Sequence, residues 1–318
     1  MWLDVLDRQN LVELAYQKGN KLTLSNENYL SWLTGFFNRE YNDDVYTGDI
    51  TSNAILTKNK LTTGFLYTKS VGVIAGLAET CWFLKKHGLE VKAHVNDGRK
   101  VNKGDLVLTL QGGKKDILST ERICLNVLQR MSGIATETKH LVDSLKKYQT
   151  KIAATRKTLL RYLDKKAVFL GGGLTHRFGL WDAILIKDNH LEALKNEGIT
   201  AYIETALTRA SKFLDNIDFV EIEVTSHEEA LTAAQTFDVL KMKKPCVIML
   251  DNMNPTLIQE TMETLRESNL YDNLLLEASG DITPKNVHEY AKTGVDVVSM
   301  GYLTHSVKVL DLSLEMTL

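Results

Sequence analysis

The sequence predicts an α/β protein whose larger part is built on parallel strands, and three observations carry that expectation. From Glu121 onward, short β-rich runs alternate with helical stretches. The runs are nearly continuous in apolar residues, as strands buried on both faces require. Each run also ends in polar or charged residues, which is where a β/α barrel gathers its function.

The bulk numbers set the frame. A chain of 318 residues, 44% hydrophobic and 25% charged, has the composition of a soluble globular protein and the length of one large domain or two ordinary ones. With 38 basic and 40 acidic residues the net charge is −2, so no global field favours nucleic acid or an anionic membrane. An anionic ligand then needs a local cluster of cations. No run approaches the length of a membrane-spanning helix, and Asp4 and Asp7 interrupt the apolar N-terminal stretch Met1–Arg8, unlike a secretory leader. Cys81, Cys124 and Cys246 lack close spacing and sit among apolar residues, which predicts buried free thiols rather than disulfides or a zinc site. The expected location is the reducing cytoplasm.

Taken in order, residues 1–45 carry helical patterns and no recognisable chemistry. Val71–Lys86 reads as an amphipathic helix feeding a strand at Leu89–Val95. Asp97-Gly98 and Gly104-Asp105 mark turns on either side of Val101, with a strand at Leu106–Leu110 behind them. Hairpins that carry lipoyl groups have similar turns, but no lysine stands at a matching tip, so this is a structural turn. Strands follow at Lys151–Thr155, Ala183–Lys187, Phe219–Val224, Cys246–Leu250, Leu274–Ala278 and Val295–Met300, with a seventh near Ala167–Leu170. Ser226-His227-Glu228-Glu229 predicts a capping box. Asn254-Pro255 and Thr283-Pro284 each predict a cap before a proline at the first helical position, and Gly294 a helix end. Such units build either a parallel barrel or a doubly wound sheet; the polar strand ends favour the barrel.

Those strand ends supply the candidate site. The first runs into Thr155-Arg156-Lys157-Thr158, a later one into Lys187-Asp188-Asn189-His190, and Gly171-Gly172-Gly173-Leu174-Thr175-His176-Arg177 lies between. Further on come Glu221 and Glu223, Asp251-Asn252, Ser279-Gly280-Asp281 and Gly301. One rim would set Arg156, Lys157, His176, Arg177 and Lys187 opposite Glu223 and Asp251. That mouth suits a polyanion with a divalent cation, because arginine forks bind carboxylate or phosphate and paired carboxylates suit Mg²⁺ and ribose hydroxyls. Each piece alone has a plainer reading: a solvated Arg-Lys pair, a flexible glycine turn, a surface histidine. Glu221 and Glu223 share one face of a strand, so at least one needs a partner.

The motifs Glu121-Arg122-Ile123-Cys124-Leu125-Asn126, Ser132-Gly133-Ile134-Ala135-Thr136, Thr155–Thr158, His176-Arg177, Ile186–His190, Glu221–Val224, Leu250–Asn252, Ala278–Gly280 and Ser299–Gly301 together resemble the quinolinate phosphoribosyltransferase family. Gly48–Thr51 and the Asp97-Gly98 turn fit as well. The resemblance implies an N-terminal α/β sandwich over 1–133, rejoined by 304–318, and an incomplete parallel α/β barrel over 134–303. It implies a homodimer with shared sites, Mg²⁺ as the cofactor, and quinolinate and phosphoribosyl pyrophosphate as substrates. Carried over by position, Arg122 from the neighbouring subunit, Arg156, His176, Arg177 and Lys187 would hold the pyridine carboxylates. Lys157 would sit near the ribosyl donor, Glu223 and Asp251 would meet the ribose hydroxyls and the metal, and Ser279, Gly280 and Gly301 would cradle the 5-phosphate. Lys157, Lys187, Glu223 and Asp251 are the catalytic set.

Three departures from the family pattern stand out: a shorter loop after Thr158, Asp281 where a second glycine is common, and Leu174-Thr175 ahead of His176 where asparagine is frequent. They keep open a paralogue with another anionic acceptor, and a non-catalytic nucleotide-binding relative.

Overall fold

The computed structural model describes residues 7–317, so most of the N-terminal stretch Met1–Arg8 lies outside the described residues. The chain begins with helix α1 (Arg8–Tyr16), followed by α2 (Glu27–Val45) and α3 (Ile50–Ile55). Strands β1 (Leu61–Thr68) and β2 (Gly72–Val73), helix α4 (Leu77–Lys86), and strands β3 (Glu90–Ala93), β4 (Lys100–Val101) and β5 (Leu106–Gly113) come next. The long helix α5 (Lys114–Ser144) leads to β6 (Lys151–Ala153) and α6 (Arg161–Leu170). Then strands and helices alternate: β7 (Ile184–Ile186), α7 (Asp188–Asn196), α8 (Tyr202–Ala210), β8 (Val220–Val224), α9 (His227–Leu240), β9 (Cys246–Asp251) and α10 (Pro255–Glu267). The chain ends with β10 (Leu275–Ser279), α11 (Val287–Thr293), β11 (Val297–Ser299), the short α12 (Tyr302–His305) and β12 (Leu312–Met316).

Two compact units form. One comprises residues 19–140, 159–172 and 306 onward; the other comprises residues up to 18, 141–158 and 173–305. This division differs from the 1–133 and 134–303 reading: residues 7–18 and 304–305 join the parallel-sheet unit, and 134–140 and 159–172 join the other.

The first unit is built on an antiparallel sheet in the order β12-β1-β5-β3. The C-terminal strand returns to it as expected, with Leu66 opposite Leu314. The helix expected from Val71 starts only at Leu77, because Gly72 and Val73 pair with Val101 and Lys100 as strands and Gly76 takes a left-handed conformation. Asp97 supplies the missing cap, accepting hydrogen bonds from the amides of Leu77 (2.8 Å) and Ala78 (3.0 Å). The Asp97-Gly98 turn is therefore structural. The strand expected at Ala167–Leu170 is instead the last turns of α6. A short apolar run does not distinguish strand from helix, and here Leu163, Ala167 and Val168 pack inward as a helical stripe. A bidentate pair from Arg130 to Asp164, both bonds 2.8 Å, fixes that helix against α5. Gly171 permits the approach: a Cβ there would lie 2.6 Å from the Ala135 carbonyl oxygen.

The second unit is a six-stranded parallel sheet in the order β6-β11-β10-β9-β8-β7, covered by α7–α11. Leu174 adds a single parallel bridge to Ala153 on the outer side of β6. Among the described residues no pairing joins that flank to β7, so the barrel is incomplete, as predicted. The six strands fall on the predicted runs, and their shared direction brings every carboxyl end to one edge. Inside the start of the strands, Val12, Ala15 and Tyr16 of α1 pack with Ala153, Leu174, Ala183, Phe219, Val247, Leu275 and Val297. Burying a side chain of Val or Tyr size stabilises by roughly 1.5–3 kcal/mol, enough to hold a nine-residue helix there.

Two of the helix starts need adjustment. Ser226 accepts from the Glu229 amide (3.2 Å), but the Glu229 carboxylate reaches the Thr225 amide (3.0 Å) instead of that of Ser226. Thr283-Pro284 opens a turn, and α11 begins three residues later, after Asn286 has accepted from the Thr283 amide at 2.7 Å. Asn254 caps α10 as expected, accepting from Leu257 at 3.0 Å with Pro255 at the first helical position. Gly294 ends α11 at φ +88°.

Candidate active site

The register of the parallel sheet sets the depth of each side chain. Ile186 lies beside Ile222, Glu223 beside Met249, and Asp251 beside Ser279. Lys187, Glu223, Asp251 and Ser279 therefore sit within a step of one another along neighbouring strand ends. Lys187 Nζ donates to Glu223 Oε2 at 2.8 Å. Its own backbone amide donates to His190 Nδ1 (2.9 Å), so the Asp188-Asn189-His190 run opens α7 rather than forming a metal pair.

Asp251 is half-buried. Burial pushes its carboxyl above the ordinary range, opposed by the charges of Lys187 and Lys157. Asn252 beside it takes φ +55°, a conformation asparagine tolerates, and donates to Asp251 at 2.6 Å. Its amide donates to the Ser279 carbonyl at 2.9 Å. That turn leaves no room next door: a Cβ on Gly280 would lie 2.2 Å from Asn252 Oδ1, and Gly280 itself has φ +96°. Only glycine fits there, beside Ser279.

At the end of β6 the loop turns on a Thr155 hydroxyl that accepts from the Lys157 amide at 3.0 Å. Arg156 and Lys157 are exposed. The Lys157 carbonyl accepts from Thr304 (2.8 Å), and its side chain crosses Gly301, where a Cβ would meet Lys157 Cδ at 3.0 Å. Arg177 is buried at 6% exposure, and burial and then the nearby charge of Arg156 pull its guanidinium below its ordinary value. The two arginines are thus close enough to repel, a cost that an anion between them would remove.

His176 is placed differently from a rim residue. It has a left-handed backbone (φ +55°) and a ring buried to 5% exposure, edge-on to Tyr16 with centroids 5.0 Å apart. Nδ1 accepts from the Arg177 amide at 2.7 Å, so in a neutral ring Nε2 carries the proton. Nε2 faces two fully buried carboxylates, Glu277 Oε2 at 3.4 Å and Glu221 Oε2 at 3.5 Å. Burial and then the neighbouring Glu277 push the Glu221 carboxyl well up. Burial also acts on Glu277, but the charge of His176 outweighs it and holds that carboxyl low, while the Tyr16 hydroxyl donates to Glu221 Oε1 at 3.4 Å. Two carboxylates this close and this buried resist ionising together, and the opposite shifts favour the proton on Glu221 and the charge on Glu277. Among the described residues these three form the one group of histidine, cysteine, aspartate and glutamate compact enough to hold a metal.

The remaining expected residues divide. Arg156, Lys157, Arg177, Lys187, Glu223, Asp251, Ser279, Gly280 and Gly301 all belong to the parallel-sheet unit. Arg122 is exposed on α5 in the other unit. Asp281 is exposed at φ +46°. Glu277 was overlooked in the sequence, although a lone carboxylate within Leu274–Ala278 was the same signal that singled out Glu221. Tyr16, Lys18 and Asp182 gave no such signal. The three cysteines are free, with Cys124 and Cys246 buried and Cys81 partly so; burial pushes Cys81 up to about 11. No described helix is long and apolar enough to cross a membrane.

Comparison with known proteins bears on this geometry. Residues 134–315 match the family model for the quinolinate phosphoribosyl transferase C-terminal domain, and residues 49–132 match that for the N-terminal domain. The chain is 38% identical over 276 residues to a probable carboxylating nicotinate-nucleotide pyrophosphorylase of Methanothermobacter thermautotrophicus, covering 86% of this chain and 94% of the relative. It is 36% identical over 285 residues to the carboxylating nicotinate-nucleotide pyrophosphorylase of Mycobacterium leprae, covering 87% and 95%. Among solved structures, the nicotinate-nucleotide pyrophosphorylase of Francisella tularensis superposes with a TM-score of 0.76 at 34% identity, covering 90% of this chain and 96% of that one. The enzyme of the same name from Ehrlichia chaffeensis gives 0.74 at 31% identity, covering 89% and 98%.

Proposed function

This chain belongs to the quinolinate phosphoribosyl transferase family, and from that premise we infer that it transfers a phosphoribosyl group from phosphoribosyl pyrophosphate to quinolinate, with loss of CO₂, giving nicotinate mononucleotide and pyrophosphate. The observation that carries the reading is the opposition of charges at one sheet edge. Arg156, Lys157, Arg177 and Lys187 supply cations, and Glu223 and Asp251 stand on adjacent strand ends.

Charge movement assigns the roles. Quinolinate brings two carboxylates, and Arg156, Arg177 and Lys187 receive them, with Arg122 completing the pocket from a second copy in a homodimer. Binding releases Lys187 from Glu223 and relieves the repulsion between the two arginines. As the bond from the anomeric carbon to pyrophosphate breaks, positive charge develops on the ribosyl ring, and Glu223 and Asp251 stabilise it. Lys157 takes part of the leaving charge. The backbone around Ser279, Gly280 and Gly301, where two glycines allow close approach, fixes the 5-phosphate, and the pyridine nitrogen, held in line, forms the new bond. The resulting pyridinium charge stabilises the electron pair left at C2 as CO₂ departs, and a proton from water takes the place of the carboxylate.

The donor set at Glu223 and Asp251 fits Mg²⁺, which takes one or two carboxylates and completes its shell with substrate phosphates and water. Held there, Mg²⁺ would neutralise pyrophosphate charge. His176 supports the site from beneath through its bond to the Arg177 amide. Three free thiols and the absence of a membrane-spanning helix among the described residues support the cytoplasm as the working compartment.

The test is release of pyrophosphate and CO₂ from purified protein with phosphoribosyl pyrophosphate, Mg²⁺ and quinolinate, against nicotinate. Both products with quinolinate alone are expected. Turnover only with another acid would overturn the substrate assignment.

A further inference from the structure

Residues 7–18 lie ahead of both stretches matched by the family models, yet they make a dense set of contacts with the segment that carries His176 and Arg177. The Tyr16 carbonyl accepts from the His176 amide (3.0 Å) and from the Thr175 hydroxyl (2.9 Å). That hydroxyl in turn accepts from the Lys18 amide at 2.9 Å. Gln17 reaches the Gly173 carbonyl at 3.3 Å. Thr175, one of the departures from the family pattern, is thus the hinge pin of this contact.

The downstream flank is held by the same segment. The Lys18 ammonium, 3% exposed, lies 2.8 Å from Asp182 Oδ2 and 2.7 Å from Asp218 Oδ2. Asp182 accepts from the Phe178 amide (2.7 Å) and the Gly179 amide (3.1 Å), the two residues that follow Arg177. Burial pushes the Asp182 carboxyl up, but the Lys18 hydrogen bond and those two amides outweigh it and leave it below its ordinary value. Helix α1 is itself pinned by Arg8, whose Nη2 lies 2.8 Å from Asp296 Oδ2, and by the stack of Tyr16 on Phe219 with centroids 5.2 Å apart. The His176–Arg177 dipeptide, left-handed at His176, is therefore tethered on both sides to Tyr16 and Lys18.

We propose that Lys18 is a positioning residue for substrate binding: with the Tyr16 backbone it clamps the loop that aims Arg177 at a pyridine carboxylate, so the segment ahead of the family-matched stretch sets quinolinate affinity. The inference rests on the assignment of Arg177 to quinolinate. A buried ammonium shared by two carboxylates is a rigid support, and a guanidinium that follows a left-handed His176 and faces the like charge of Arg156 needs one. Displacement of such a group by about 1 Å can cost up to about 100-fold in turnover.

The test compares Lys18→Met, Lys18→Arg, Asp182→Asn and Arg177→Ala in the full-length protein, reading kcat, KM for quinolinate, KM for phosphoribosyl pyrophosphate and the thermal midpoint. Arg177→Ala is expected to raise KM for quinolinate, which secures the underlying assignment. Lys18→Met should then raise KM for quinolinate about tenfold while KM for phosphoribosyl pyrophosphate stays within about twofold, and Lys18→Arg should restore most of it. If Lys18→Met does not fold, Asp182→Asn carries the test and should show the same selective rise. Parallel changes in both KM values, or none, alongside an effective Arg177→Ala would overturn the clamp. An Arg177→Ala protein with unaltered KM for quinolinate would instead overturn the role of Arg177, and the clamp with it.

Discussion

Lys187 and Glu223 stand at the ends of adjacent parallel strands and meet through a 2.8 Å hydrogen bond, the ammonium half exposed and the carboxylate at 10%. A pair so placed is worth little to stability, since solvent screens the exposed partner. In the proposed reaction it holds two groups of opposite charge ready for two different substrates, and each would release the other when its substrate arrives.

Replacement of Lys187 by alanine is therefore expected to leave the thermal midpoint almost unchanged and to lower kcat/KM for quinolinate roughly 100-fold, the scale of losing one preorganised charge contact. Steady-state kinetics with quinolinate varied at saturating donor checks this. Unaltered kcat/KM would remove Lys187 from the acceptor site.

Asp251 carries a pH signature. Its carboxyl is raised by burial, so it takes up a proton at a higher pH than an ordinary aspartate does, and the protonated form cannot serve Mg²⁺ or a developing cation. Activity should fall as pH drops through that raised value. Asp251→Asn should lower turnover at least tenfold and abolish this acid limb together with the Mg²⁺ response. A wild-type Mg²⁺ titration in the variant would contradict the assignment.

Gly280→Ala places a methyl group 2.2 Å from Asn252 Oδ1 at a backbone φ of +96°. Strain of this kind costs of order 1–3 kcal/mol. The expected result is a lower thermal midpoint and a KM for phosphoribosyl pyrophosphate raised about tenfold or more, with KM for quinolinate much less affected. Calorimetry and donor-dependent kinetics read the two parts separately.

The buried carboxylates Glu221 and Glu277 respond unequally to neutralisation. Burial and Glu277 favour the protonated form of Glu221, so Glu221→Gln, which mimics that form, should cost less than about 1 kcal/mol in denaturant unfolding at neutral pH. Glu277 faces His176 Nε2 at 3.4 Å and its charged form is favoured there, so Glu277→Gln should cost roughly 3 kcal/mol. Equal losses would show that the proton is not localised as described.

Arg122 is exposed on α5, and the proposed homodimer assigns it to the site of a second copy. Arg122→Ala and Asp251→Asn proteins, each weakly active alone, should regain up to about a quarter of normal activity when refolded together, as random pairing of shared sites dictates. Verified mixed dimers without any recovery would show that each site is self-contained.

The sequence carried a good deal of this. Six parallel strands were legible because a strand buried on both faces must be apolar along its whole length. The site residues were legible because charges at the ends of such strands have no structural excuse. The apolar run Ala167–Leu170 misled because four apolar residues carry no periodicity, and it was the stripe Leu163, Ala167 and Val168, together with the Arg130–Asp164 pair, that made it helical.

What the sequence determined by itself was the order of strands and helices, the polar strand ends and the family pattern, since these follow from local periodicity and short-range spacing. What only the tertiary structure decided was where long-range partners meet. Nothing near Lys18 in the chain announces that it would be buried between Asp182 and Asp218, nor that Tyr16 would lie beneath His176. Those contacts span about 160 residues or more, and only the curvature of the parallel sheet, which leaves its base open to α1, brings them together.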